Sequence, residues 1–337
     1  MQVNLERKSY KRARKEINKK QNFNLPIIIL IGLILVSSVL FLSLGINSGS
    51  MQYALSKRIP KLIAIIITGI CIGYSTIVFQ TITNNRILTP SVMGIDSLYV
   101  AVQTIIIFAF GSASVCATNQ KINFLICVVF MIAGSMVLYK FVFDRENANI
   151  MFVLLVGMIC GIFFKSLSSF MQMIIDPNEY LILQSKLFAS FNNVNVDILL
   201  LAVVIILLII PFIIDDIKYY DVMSLGKDQS INLGVDYDKL MKKSLIVISL
   251  LIAVSTALVG PVTFLGILVA NITREMMKTY KHSYLIIVSI LVSIFTLVFG
   301  QLLMERILHL TTPVSVVINM IGGIYFMYLL YKESRIW

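Results

Sequence analysis

The sequence predicts an all-α membrane protein of about ten transmembrane helices with both termini in the cytoplasm. Three observations predict it. Of 337 residues, 58% are hydrophobic and only 13% are charged, against the ~45–50% and ~25% of soluble domains. Mean hydropathy is +0.91. So few polar groups cannot cover a water-soluble domain of this size, which excludes an ordinary cytosolic enzyme, a nucleic-acid-binding protein and a disordered chain. Apolar runs long enough to cross a hydrocarbon core of ~30 Å, about 20 residues each, recur along the chain. The basic residues between those runs are divided very unequally between the two sides.

Residues 1–24 hold eight basic and two acidic side chains of a chain whose net charge is +11. A basic head before an apolar run marks a cytoplasmic terminus and also attracts anionic membrane lipid. The run 25–45 lacks the small-residue cleavage site of a signal peptide, so it reads as the first span. The second, 62–80, contains Gly69-x-x-x-Gly73. A weaker third, 93–110, opens with Met93-Gly94-Ile95-Asp96. Then come 122–143 and 150–175, the latter with Gly157-x-x-x-Gly161. Such glycine pairs let backbones approach closely, and here they are expected to pack helices within the bundle. The run 198–214 includes Pro211, and the polar segment 215–243 separates it from 244–259. Gly260-Pro261 breaks the chain before a short run, 261–272, and the last spans are 284–304 and 315–331.

Ten spans with the N-terminus inside place 21 Lys and Arg on the cytoplasmic side and six outside, with Lys165 inside a span. Dropping either weak span alone would scatter the basic loops over both sides, contrary to the positive-inside rule. The organisation expected is a basic cytoplasmic segment 1–24, one polytopic domain 25–331 and a cytoplasmic tail 332–337.

Little in the chain suggests chemistry. Cys71, Cys116, Cys127 and Cys160 form no CxxC pair and read as small buried hydrophobes. His282 and His309 are too few and too distant for a metal cluster. Gly226-Lys227 is followed by Asp228 without the glycines of a phosphate-cradling loop. The chain is not expected to be an enzyme or to hold a cofactor or metal. Ion-coupled carriers place carboxylates or His in the membrane, whereas the spans here carry only Asp96 and Lys165. A permease driven by a separate protein is favoured, with an ion-coupled secondary transporter as the alternative. Segment 215–243 is polar, mixed in sign and punctuated by Gly226 and Gly234. That spacing suits two short helices with a turn, a compact element for docking a cytoplasmic partner.

These residues carry a resemblance. Leu225-Gly226-Lys227-Asp228-Gln229-Ser230-Ile231-Asn232-Leu233-Gly234-Val235 resembles the LGxxxAxxLGV stretch of FecCD-type ABC permeases. Gly260-Pro261-Val262-Thr263-Phe264-Leu265-Gly266 is similar to that family's AGPIGFVG, and Asn85 to Ile95 to its NPLAxPxLLGI. Pro313-Val314-Ser315-Val316-Val317, with Gly322 and Phe326, resembles its LPVGVVTAxxGAPFF. The matches follow the family's order from about residue 50 to 332.

The resemblance implies a type II ABC importer permease fold in the cytoplasmic (cell) membrane. It implies as partners a cytoplasmic ABC ATPase dimer, a second permease subunit (identical or paralogous) and an extracytoplasmic siderophore-binding lipoprotein. The substrate implied is a ferric siderophore, with vitamin B12 or haem as family alternatives. Leu225, Gly226, Lys227, Asp228, Ser230, Leu233 and Gly234 would then couple to the ATPase. Arg58 and Lys61, in Lys57-Arg58-Ile59-Pro60-Lys61, resemble the family's outer RxPR, and Arg306 matches a further outer Arg. All three would receive carboxylates of the binding protein. Two departures, Ala270-Asn271 where the family has Pro-His and Ile87 where it has the Pro of NPL, resemble the branch associated with iron chelates, catecholates included. Lys165 replaces a small residue of the family near the expected translocation path. There it would attract an anionic chelate, pair with another helix or snorkel outward.

Overall fold

The computed structural model describes residues 24–44, 51–143, 150–192, 194–307 and 313–334. Most of the basic head, Arg145, His309 and the residues after Ser334 lie outside them. The described residues form helices and turns with no strand. In chain order the helices are α1 Asn24–Ser43, α2 Met51–Ile82, α3 Ile95–Phe110, α4 Val115–Thr118, α5 Gln120–Phe143 and α6 Ile150–Ile174. There follow α7 Pro177–Leu187, α8 Val196–Ile214, α9 Ile217–Met223, α10 Lys227–Asn232, α11 Tyr237–Val259, α12 Leu265–Met276, α13 His282–Leu302 and α14 Val314–Ser334.

Helices α1, α2, α5, α6, α8, α11 and α13 are long and apolar enough to cross a bilayer. Beside these seven stand two shorter apolar helices, α3 and α14, and the 12-residue α12. The two weak runs are weak because their helices are broken. At 1.5 Å per residue, α3 with 16 residues reaches ~24 Å and α12 with 12 reaches ~18 Å, both short of a full crossing. Before α3 the chain makes a 3-10 turn, Pro90–Met93, and swings through Gly94 at φ 77°. Before α12 it passes Gly260 at φ 98°. The freed N-termini meet at a polar cavity of about 20 Å³ lined by Thr76, Ser91, Asp96, Ser255 and Thr263. Helix N-termini favour negative charge, which accounts for a carboxylate at this break. Pro211 does not end its span, since α8 continues through it.

Both glycine pairs lie at helix contacts inside the chain. Gly69 and Gly73 of α2 face Ile294 and Ile290 of α13 so closely that a Cβ on Gly73 would stand 2.8 Å from the Ile290 Cα. Ser289 Oγ adds a 2.8 Å hydrogen bond to the Gly73 carbonyl. Gly157 and Gly161 of α6 abut Met93 and Gly94. The bundle is layered accordingly. Of α2's apolar window 78% is buried and of α13's 61%, against 17% for α1 and 22% each for α6 and α8. The peripheral helices turn their apolar faces outward, as a lipid-embedded chain requires.

Several boundaries differ from the sequence reading. Helix α2 starts at Met51, so Lys57 to Lys61 lie within its first turns and Pro60 sits inside the helix. Helix α11 starts at Tyr237, capped by Asp236, whose Oδ1 accepts from the Lys239 amide at 3.1 Å. The segment after α6 holds the unexpected helix α7, begun by Asp176 and Pro177, an N-cap and first-turn proline legible in the sequence.

The seam makes a test. Gly73→Ala forces a Cβ onto Ile290 backbone and should destabilise by about 1–3 kcal/mol, as overpacking does, while Gly32→Ala, with open space around it, should not. Thermal unfolding of the detergent-purified chain reads the difference. Equal melting temperatures would refute the close seam.

Candidate functional site

Segment 215–243 folds as the glycine spacing predicts: α9 and α10 are separated by Gly226 at φ 100°, and Gly234 at φ 83° ends the second. Ser230 is buried and holds the turn, its Oγ donating to the Val222 carbonyl at 2.9 Å and the Gly226 carbonyl at 2.6 Å. Lys227 pairs with Asp238 at 3.0 Å. Leu225 and Leu233 are 56% and 62% exposed, and Asp228 is exposed between them. Apolar side chains held out of a polar cytoplasmic loop suit a contact with another protein. Of the seven coupling candidates, Gly226, Ser230 and Gly234 therefore shape the loop, Lys227 braces it, and Leu225, Asp228 and Leu233 are presented.

What fastens this loop to the bundle was not foreseen. Tyr220 is 0% exposed, and its hydroxyl lies 3.0 Å from both Tyr74 of α2 and Ser244 of α11. Burial pushes the Tyr220 hydroxyl up, so it stays neutral and can both donate and accept. Lys243 pairs with Asp216 at 2.8 Å. Asp221 accepts at one oxygen from the His282 backbone amide at 2.6 Å and from its Nδ1 at 2.8 Å. A carboxylate only accepts, so Nδ1 carries a proton. His282 Nε2 lies 2.8 Å from Thr81 Oγ1 at the end of α2. One imidazole thus joins α9, α13 and α2. Its sequence signal was slight, a lone His beside a span.

The outer cations are engaged within the chain. Arg58 is only 6% exposed. Its Nη1 donates to the carbonyls of Phe41 at 3.3 Å, Leu42 at 2.7 Å and Leu44 at 2.9 Å. These are the orphan acceptors of a helix C-terminus, so Arg58 caps α1. Lys61 pairs with Glu305 at 2.9 Å and reaches Asn192 Oδ1 at 3.2 Å. Gln301 donates to the same Glu305. An arriving carboxylate would have to compete for either cation. Arg306 lies in the π-helical turn Leu303–Ile307 after α13, and its side chain is outside what the structure describes. Lys165 is exposed on α6 one turn beyond the packed Gly161, in a sector that carries Ser166 and Ser169 and also the exposed Ile162 and Met173. It has no ion pair or hydrogen bond to a described residue, which removes an intrachain salt bridge among them as its reason.

Among the described residues no cluster of His, Cys, Asp and Glu could hold a metal.

The fold and loop have close relatives. Over 313 residues the chain is 53% identical to the petrobactin import system permease protein YclO of Bacillus subtilis, covering 93% of this chain and 99% of that protein. It is 34% identical to the petrobactin import system permease protein FatC of Bacillus anthracis, over 96% and 92% of the two. A solved inward-facing metal-chelate type ABC transporter superposes with a TM-score of 0.80 at 22% identity, over 92% of this chain and 100% of that one. That likeness carries the fold. The model of the FecCD transport family matches residues 23–332, and the chain belongs to that family.

Proposed function

We propose that the chain is the permease subunit of an ATP-driven importer that carries a ferric siderophore, ferric petrobactin or a related chelate, across the cell membrane. The observation that carries this reading is the 53% identity to a petrobactin import permease over nearly the full length of both chains. Energy comes from a cytoplasmic ATPase dimer. A second permease completes the pore, and an extracytoplasmic binding protein delivers the chelate.

Loop α9–α10 is the contact with the ATPase. Leu225, Asp228 and Leu233 meet it, while the glycine turns and Ser230 keep the loop compact. Its ties to α2 and α13 give the geometry a mechanical use. A displacement of α9 passes through Tyr220 to Tyr74 and through Asp221 to His282, and so to the close-packed α2–α13 pair. Alternating access needs such a rigid connection between motor and bundle. On the outer side, Lys61 and Arg306 mark the surface the binding protein meets, while Arg58 is buried behind it as the cap of α1. Lys165 faces the translocation path with Ser166 and Ser169. An ammonium inside the membrane costs about 2.5–3.5 kcal/mol on insertion scales, a cost offset where the face of α6 lines a polar passage for an anionic chelate.

Proteoliposomes holding the complete complex should accumulate iron-loaded petrobactin only with ATP inside and a loaded binding protein outside. Uptake by this chain alone under a proton or sodium gradient would overturn the reading. Deleting 221–234 should abolish ATPase co-purification, and retained association would refute the coupling assignment. His282→Ala should leave the ATPase bound but lower iron imported per ATP by about fivefold, the effect of losing roughly 1 kcal/mol from a contact. An unchanged ratio would remove the latch. Lys165→Ala should slow import of the anionic chelate, and unchanged import by well-assembled complexes would sink its place in the path.

A further inference from the structure

Beside the coupling loop lies a cavity of about 450 Å³, bounded by the end of α2, the 84–86 turn, Ser224 after α9, residues 277–280 and the start of α13. Three cations line it, Arg86, Arg274 and Lys278, and no Asp or Glu does. Arg274 is half-buried, while Arg86 and Lys278 stand exposed at the rim. The one hydrogen bond of the Arg274 guanidinium to a described residue runs from Nε to Gln80 Oε1 at 3.3 Å. Gln80 is itself held by its Nε2, which donates to the Arg86 carbonyl at 2.6 Å. Nη1 and Nη2 are left to the cavity, and the Arg86 charge opposes that of Arg274. Positive charge is expected on a cytoplasmic face. A half-buried guanidinium fixed at one edge, facing another cation and given no carboxylate by the described residues, goes beyond that expectation.

A guanidinium fork matches a planar two-oxygen anion through two parallel hydrogen bonds. The walls α2 and α13 are among the most buried spans, and the cavity lies at their ends beside the loop read above as cytoplasmic. Ser224 puts its rim within the coupling loop. The occupant is then an acidic side chain of whatever protein seats on that loop. We propose that this basic cavity is a second socket for the cytoplasmic ATPase, receiving one of its carboxylates on Arg274, with Arg86 and Lys278 as steering charges. The proposal rests on the coupling reading above and adds to it a charged contact beside the apolar one.

The test measures the affinity of the importer's own ATPase for the nanodisc-held permease at low and high salt. Arg86→Glu with Lys278→Glu, both exposed, should weaken binding about tenfold at low salt and flatten its salt dependence, as rim charges do. Lys140→Glu at the cytoplasmic end of α5, the same charge change as either substitution alone, should do neither, whereas Arg86→Glu and Lys278→Glu should each weaken binding singly. Arg274→Gln should weaken binding further and at both salt concentrations. If the double variant behaves like Lys140→Glu, general attraction to a positive face explains the data and the socket is wrong. If the loss appears with phosphatidylglycerol and vanishes with phosphatidylcholine, the cavity holds a lipid phosphate and the proposal fails. Wild-type permease that binds no ATPase would bring down the coupling reading itself, which the deletion of 221–234 tests separately.

Discussion

The antiparallel seam between α2 and α13 is the contact from which the other elements take their positions. Lipid offers no hydrophobic drive to bring two apolar helices together, so close packing and interhelical hydrogen bonds must do it. Four residues along α2, from Gly69 to Gly73, match four back along α13, from Ile294 to Ile290. The same step reaches Thr81 opposite His282 at the cytoplasmic end, and at the outer end Lys61 meets Glu305 just beyond α13. The seam is tight in the middle, where side chains are absent, and polar at both ends, where water is near. It therefore behaves as one bar with a handle at each face of the membrane. Segment 215–243 holds one handle through Asp221 and His282, and the other lies where basic residues are otherwise scarce.

The breaks before α3 and α12 follow from the same scarcity of water. A helix that starts inside the bundle exposes unpaired amides, which are tolerated at membrane depth only inside protein. Here the two broken ends share one hydroxyl-lined pocket and one carboxylate, Asp96. Gly94 allows the turn, with α6 pressed against it through Gly157 and Gly161. The second glycine pair thus seals the break, while the first forms the seam. Both pairs are spent inside this chain, and neither is left to mediate contact with a second copy.

The parts of this fold legible in sequence were those fixed by solvent and by backbone. Apolar runs, the glycine pairs and the Gly226–Gly234 spacing each report a local constraint, and each corresponds to an element found. The two short spans, weak in hydropathy, are helices broken at Gly94 and Gly260. Helix α7 carries its start signal in Asp176-Pro177, in a stretch of chain outside any apolar run. The long-range polar contacts were not legible. Nothing local to Tyr220, Asp221 or His282 says that they meet, since the pairing of Asp221 with His282 depends on how α9 folds back beneath α13. Arg58 shows the same limit in reverse. Its setting in Lys57-Arg58-Ile59-Pro60-Lys61 reads as an exposed outer patch, yet α2 begins before it and turns its guanidinium onto the end of α1.

Charge is scarce enough here that the placement of each ion carries information. Arg58 offers several donors from one planar group, which suits the three carbonyls at the end of α1, whereas Lys61 supplies a point charge to a single carboxylate. Lys227 and Lys243 brace the coupling loop through Asp238 and Asp216. Lys165 breaks the pattern. It stands in the body of α6, on a face that also carries Ser166 and Ser169, and the described part of the chain gives it no counter-ion. Hydrocarbon would not solvate such a group, and a structural role would have placed it toward a partner inside the bundle. An exposed ammonium in a span either reaches along the helix to the headgroups or meets something polar on this face. Its exposure in the body of a span, without a counter-ion among the described residues, is the observation on which the proposed place of Lys165 in the importer's passage rests.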